Sequence, residues 1–298
     1  MDAPGWFRRA ITTPYEDCRV EVAGAPVHYL RWGPAGRPGL VLVHGGAAHA
    51  HWWAHVAPRL MGDNEYTVVA VDLSGHGDSG RRDEYELDHW CAEVLAVADD
   101  AGIDGPPVII GHSMGGFVSI ATGARHSDRV AGIIVIDSPV RYLDPEEEAA
   151  RRGTDFSDPK VYPDIATAVS RFRTVPAQAH YEPYVMDYVA RHSLRAVGDD
   201  GSVTWKFDPR VFGRRRSNSA VDLLGDVACR VALLRAQYGL VTPDIGAFMY
   251  EQLGRVAPVI ELPQAGHHPM LDVPLILITA LRTLLADWEH STALPRGS

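Results

Sequence analysis

The stretch PVIIGHSMGGFVSIATGARH, residues 107–126, decides how the chain is read. It opens as a short, continuous apolar run, the pattern of a strand buried on both faces, and continues as a helix-length segment. Between the two lies Gly111–His112–Ser113–Met114–Gly115, a G-x-S-x-G spacing that suits a tight strand-to-helix turn. The glycines have a steric reason, because a Cβ at 111 or 115 would meet neighbouring backbone in such a turn. The turn exposes the Ser113 Oγ above the sheet. It also sets the Met114 amide at a helix N-terminus, where developing negative charge is stabilised.

Working outward, GLVLVHG (39–45), YTVVAVDL (66–73), AGIIVID (131–137), RVALLRA (230–236) and APVIELP (257–263) are further apolar runs. Helix-length segments separate most of them, which predicts an α/β fold with a mostly parallel, doubly wound sheet. CRVEV (18–22) and VHYLRWG (27–33) read as an opening hairpin turning at Gly24–Pro26. Leu277, Ile278, Leu281, Leu284, Leu285 and Trp288 have the spacing of a closing helix. From Ser138 to about Ser219 the alternation lapses, and the segment carries EEE (146–148) with Pro139, Pro145, Pro159, Pro163 and Pro176. The expected organisation is a core domain of residues 1–138 and 219–298, interrupted by a mostly helical cap over 139–218.

The 298 residues accommodate one such domain with its insertion, and 46% hydrophobic with 22% charged residues is globular composition. A formal net charge of −10 argues against nucleic acid as a partner, since duplex binding needs a basic footprint. The short cluster Arg214–Arg216 reads as a solvated face. Cys18, Cys91 and Cys229 are odd in number and show no CxxC spacing, so neither a disulfide framework nor a cysteine zinc site is indicated. With no apolar h-region in the first thirty residues and no run near the ~20 residues of a membrane span, a cytoplasmic, membrane-free protein is expected. A homodimer is compatible with all of this.

HGG (44–46), DLSGHGDS (72–79), GHSMGG (111–116) and AGHHP (265–269) each follow an apolar run. In that order and context the chain resembles the α/β-hydrolase superfamily over nearly its whole length. The resemblance implies Ser113 as nucleophile and His267 as its general base. His267 is preferred to His268 because it follows Gly266, as the family's late Gly-His motif has it. The amides of Met114 and of Gly46 or Ala47 would form the oxyanion hole, and no cofactor or metal is implied. Epoxide hydrolases and haloalkane dehalogenases of this fold attack with Asp, whereas position 113 is Ser.

The third member, an acid, is less direct. Many members carry it in a loop after the strand following the cap, but here that loop reads LLRAQYGLVTPD, with Gly239 or its neighbours at the expected place. Asp244 comes later, after Pro243, where it could equally start a helix. A minority of the superfamily carries the acid after strand 6, where IIVID ends in Asp137. A carboxylate at the end of so apolar a strand needs a partner. The order Ser113, Asp137, His267 matches the hydrolase order of Ser, acid, His. Asp137 is the first candidate and Asp244 the alternative.

His44, His49, His51 and His55 invite a metal reading, but their spacing lacks the H-E-x-x-H pattern and an obvious carboxylate ligand. The competing reading has His44 bracing the oxyanion loop. Asp72 and Asp78 resemble a mainly structural loop of the family. Tyr162, Phe172, His180, Tyr181, Tyr184, Met186, Tyr188, Trp205, Phe207 and Phe212 would build the cap's own core, with a few facing the substrate. The expectation is a cofactor-free serine hydrolase, a carboxylesterase or lactonase, acting on a small to medium, largely apolar ester or lactone. The rivals are a C–C bond hydrolase, a cofactor-independent dioxygenase and a non-catalytic receptor for a small ligand.

Overall fold

Short runs that are apolar along their whole length must be covered on both faces, which is why they pair edge to edge and take helices above and below. In the computed structural model, which describes residues 3–63, 65–142, 146–147, 158–213 and 219–291, this produces ten strands. They are β1 (Glu16–Val22), β2 (Ala25–Trp32), β3 (Gly39–Val43), β4 (Thr67–Val71), β5 (Val108–His112), β6 (Gly132–Ile136), β7 (Leu194–Ala196), β8 (Val203–Trp205), β9 (Arg230–Tyr238) and β10 (Val259–Gly266). Eight of them form one sheet in the order β1-β2-β4-β3-β5-β6-β9-β10, while β7 and β8 make a separate ribbon. β1–β2 and β2–β4 are antiparallel and the remaining pairs of the large sheet are parallel. The hairpin turns at Ala23–Gly24, earlier than expected, because both residues have positive φ (47° and 78°), as a two-residue I′ turn requires.

The register builds two apolar layers. Val41, Ile109, Ile133 and Val231 stand side by side on one face, and Leu42, Ile110, Ile134 and Ala232 on the other. The first face is covered by α3 (Leu87–Asp100) and α4 (Met114–Arg125), through Val94, Val97, Val118 and Ile120. The second is covered by α10 (Pro274–His290), through Leu277, Leu281 and Leu284, together with Trp53. The shorter helices are α1 (Gly5–Ile11), α2 (Ala57–Leu60), α5 (Ile165–Arg171), α6 (Pro183–His192), α7 (Ser219–Leu224), α8 (Pro243–Gln252) and α9 (Pro269–Asp272). No described helix is long and apolar enough to cross a membrane.

The described part of segment 139–218 holds α5, α6 and the β7–β8 ribbon, so strands accompany the helices expected there. Tyr162 and Trp205 pack on a small cluster of Ala168, Leu194 and Val203 inside the insertion. Val185 and Val189 of α6 instead join the second layer of the core, with Phe172, Tyr184, Met186 and Tyr188 alongside. Tyr181 is exposed. Pro145, Glu148 and the cluster Arg214–Arg216 lie outside the described residues.

The chain winds from β3 to β4 on one side of β3 and then returns to place β5 on its other side. Reversal at this point opens a crevice beyond the carboxyl ends of the strands, where ligands of open α/β sheets bind. The segments after β3, β5, β6 and β10 all begin there.

Leu42 is fully buried in β3, whereas Leu275 is 47% exposed on α10. Leu42→Ala is expected to cost about 2–5 kcal/mol in urea denaturation. Leu275→Ala should stay within about 0.5 kcal/mol of wild type.

Candidate active site

Ser113 joins β5 to α4 with φ 52° and ψ −114°, a left-handed conformation that a non-glycine residue adopts only when its surroundings impose it. The surroundings here are close backbone contacts. A Cβ on Gly111 would collide with the Gly115 carbonyl and the Ser119 hydroxyl, and one on Gly115 with the carbonyls of Val43 and His44. α4 therefore sits hard against β3 and β5. The Ser113 amide donates to the Ile136 carbonyl at 3.0 Å, which ties the turn to β6. Met114 opens α4, so its amide lies at the helix N-terminus beside the half-buried Ser113.

His267 follows β10 and faces both partners at once. Its Nδ1 lies 2.7 Å from Asp137 Oδ2 and its Nε2 lies 3.0 Å from Ser113 Oγ. A carboxylate only accepts, so the ring proton belongs on Nδ1 and Nε2 is left to accept from the Ser113 hydroxyl. Asp137 is buried at the end of β6. Besides His267 it accepts from the amides of Ala236 (3.1 Å), Leu240 (2.7 Å) and Val241 (3.2 Å). A Cβ on Gly239 would overlap this carboxylate, so the residue where an acid was looked for is the one that must have no side chain. Asp244 stands fully exposed in the first turn of α8, whose N-cap is Thr242.

Gly46 and Ala47 are the central pair of a turn after β3, closed by the Ala48 amide donating to the Gly45 carbonyl at 3.2 Å. Ala47 has φ 57°. His44 holds this turn in place. Its Nε2 accepts from the Leu73 amide at 3.1 Å, so its proton is on Nδ1, which donates to the Gly45 carbonyl at 2.7 Å. Phe212 of the insertion comes over the turn, close enough that a Cβ on Gly46 would meet its ring at 2.8 Å.

Three side chains that sequence reasoning did not single out grip the loop carrying His267. The Gly266 amide donates to Asp272 Oδ2, the His267 carbonyl accepts from His112 Nε2 at 2.7 Å, and the His268 amide donates to Gln178 Oε1 at 3.0 Å. Burial, with His267 and His268 nearby, holds the His112 imidazole well below its ordinary 6.5. Burial pushes the Asp272 carboxyl up to about 6. His112 had a signal, its place beside Ser113 in the turn. Gln178 had none, because only folding brings the insertion to this loop.

The four histidines of 44–55 go separate ways. His49 Nε2 bonds Ser193 Oγ at 2.8 Å, His51 Nδ1 the Tyr188 hydroxyl at 3.1 Å, and His55 Nε2 donates to the Met270 carbonyl at 2.7 Å. Asp72 accepts from the amides of Ala50 (2.6 Å) and Asp78 (2.8 Å) and pairs with His28 Nδ1 at 2.7 Å. Asp78 pairs with Lys206 at 2.6 Å. Both aspartates thus fasten the loop after β4.

Known proteins resemble this chain along most of its length. A sequence model of the family described as the alpha/beta hydrolase family matches residues 40–280. Lipase LipV of Mycobacterium tuberculosis is 32% identical over 268 residues, covering 87% of this chain and 97% of the relative. Esterase Rv0045c of the same organism is 28% identical over 273 residues, covering 88% and 87%. Among solved structures, the thioesterase domain from the curacin biosynthetic pathway superposes with a TM-score of 0.74 at 23% identity, across 92% of this chain and 99% of that one. At that identity the likeness bears on the fold alone.

Gly239→Ala is expected to push the Asp137 carboxylate off His267 and to cost about 1–3 kcal/mol in urea denaturation. Asp272 gives a pH dependence of known sign. Because its folded pKa lies above the ordinary 3.8, the folded state holds the proton longer, and stability falls as pH rises through the window from 3.8 to about 6. Asp272→Asn should remove that fall, so its urea midpoint gains on wild type between about pH 4 and about pH 7.

Proposed function

The chain belongs to the alpha/beta hydrolase family, and from that premise we propose a cofactor-free serine hydrolase that cleaves a carboxylic ester or lactone through an acyl-serine intermediate. The observation that carries the reading is the continuous hydrogen-bonded chain from Ser113 through His267 to Asp137. The names of the lipase and esterase relatives support an ester as substrate.

In this mechanism Ser113 Oγ attacks the ester carbonyl while His267 Nε2 takes its proton. Asp137 keeps the ring in the tautomer with Nε2 free and stabilises the imidazolium that forms. The carbonyl oxygen, now negative, receives hydrogen bonds from the amides of Met114 and of Gly46 or Ala47, and the N-terminal end of α4 adds its dipole. Collapse expels the alcohol, which takes the proton from His267. Water then repeats the sequence on the acyl-serine: His267 removes its proton, the acid leaves and Ser113 is restored. Ester and water become acid and alcohol, and no other co-reactant is consumed.

The substrate would be of modest size and largely apolar. The ring centroids of Trp52 and Phe172 lie 6.4 Å apart and those of Trp52 and His268 5.4 Å apart, and Phe212 covers Gly46, so aromatic side chains of both core and insertion pack beside the His267 loop and the turn after β3. Such walls favour an apolar acyl or alcohol group.

The test is intact-mass analysis after exposure to a small fluorophosphonate, paired with turnover of p-nitrophenyl esters. One label per chain, lost in Ser113→Ala and slowed by orders of magnitude in Asp137→Asn, is the expected result. Ester turnover should fall in Ser113→Ala by a factor on the order of 10⁶ at the upper end of such effects. Undiminished turnover in Ser113→Ala refutes the nucleophile. Wild-type labelling without multiple turnover on any ester would favour a ligand receptor.

A further inference from the structure

The insertion and the core also meet at the loop after β4. Between that loop and the β7–β8 ribbon lies a cavity of about 480 Å³. Its two walls are stitched together at one end, where the Gly77 amide donates to the Lys206 carbonyl and the Asp208 amide to the Gly75 carbonyl, both at 2.8 Å. Phe207 lines the cavity and stands 6.2 Å from Phe212, measured between ring centroids. Two phenyl rings thus connect the cavity to the turn after β3.

The charges around this cavity are unbalanced. Arg81 comes from the core loop, Arg195 and Lys206 come from the insertion, and Asp78 is the one carboxylate among the lining residues. That is a surplus of two positive charges, on a chain whose formal net charge is −10. Lys206 is pinned by Asp78 at 2.6 Å. Arg81 reaches Asp208 only at 3.9 Å, and that carboxylate is already held by Arg210 at 2.7 Å and by the Tyr85 hydroxyl at 2.9 Å. Arg195 is exposed and has no hydrogen-bond or ion-pair partner among the described residues. Like charges on facing walls oppose the seating of the insertion on the core, and an anion between them turns that repulsion into attraction.

The core wall is held in shape from beneath. Asp72 accepts from the Asp78 amide and Glu93 from the Ser74 amide, each at 2.8 Å. A Cβ on Gly77 would strike the Asp72 carboxylate, and one on Gly75 the side chains of Val211 and Tyr85. A wall fixed in this way adds little ordering cost when a ligand binds.

We propose that this cavity binds a small organic dianion, its doubly charged head between Arg81, Arg195 and Lys206 and its apolar body against Phe207, and that binding clamps the insertion onto the core. Guanidinium groups pair with phosphate or carboxylate oxygens two at a time, and the Lys206 ammonium adds a point charge. A dianion matches the surplus of two, whereas a monoanion leaves one charge uncompensated. Phosphate esters and dicarboxylates share this chemistry. The volume lies within the range of ordinary ligand pockets. The site uses none of the groups assigned to hydrolysis and stands independently of that reading.

The full chain is titrated by calorimetry with phenyl phosphate, phthalate, benzoate and benzyl alcohol, which share one ring and differ in charge. At least one of the two dianions should bind once per chain, about tenfold or more tighter than benzoate, and weaken as salt is added. The tighter of the two identifies the head group as phosphate or dicarboxylate. Arg81→Gln and Arg195→Gln, compared at matched circular dichroism, should each weaken that binding about tenfold. Arg255→Gln, on the exposed face of α8, and Ser113→Ala should leave it unchanged. Hydrogen exchange in residues 73–81 and 194–207 should slow on addition of the dianion and stay as it was with benzyl alcohol. Benzoate binding as tightly as both dianions, binding that survives both arginine variants, or binding lost in Ser113→Ala overturns the site. Unchanged exchange in the two segments overturns the clamp. If wild type takes no fluorophosphonate label, the hydrolase reading fails and these binding results stand as measured.

Discussion

A carboxylate at the end of an apolar strand persists as an ion only if donors surround it, and Asp137 gathers its donors from two other segments. The amides of Ala236 in β9 and of Leu240 and Val241 just after it converge with the Nδ1–H of His267 on its two oxygens. Satisfying one charge thus draws the segments following β6, β9 and β10 into a single corner. The requirement reaches to Gly239, where a side chain would occupy the space of the carboxylate. His267 takes its orientation from this corner, and its second nitrogen consequently faces Ser113.

Backbone strain gathers at the carboxyl ends of the central strands, half of the positive-φ non-glycine residues among those described lying there. Ala47, Ser113 and Asp137 all have positive φ, at the ends of β3, β5 and β6. Such residues cost on the order of 1–3 kcal/mol each and hold only where the surroundings over-determine them. The buried parallel strands and the close seat of α4 provide that restraint. Because the strands end together, the three constrained residues present a hydroxyl, a carboxylate and a backbone turn to one crevice.

The insertion takes part in the site without sharing the sheet. Gln178 holds the peptide after His267, and Phe212 lies over the turn after β3. His112 and Asp272 grip the same loop from the core. Neutral imidazoles are the natural means of bracing a buried loop, since each supplies one donor without importing a charge.

The local chemistry of the sequence determined the parallel sheet, the strand-to-helix turn at Ser113 and the tendency of each strand to end in a functional-looking residue, because apolar runs, glycines and turn residues act over a few neighbours. Asp137 was legible for the same reason: a charge ending IIVID has to be explained within its own strand. The tertiary structure alone decided between Asp137 and Asp244 as the partner of His267, since that depends on the loop after β9 wrapping its amides around one carboxylate and leaving Asp244 on an exposed helix turn. It likewise decided the place of Gln178 and the meeting of His112 with His268, which stand more than 150 residues apart in the chain. Contacts over such separations follow from how layers pack and strands order, and no local pattern of residues encodes them.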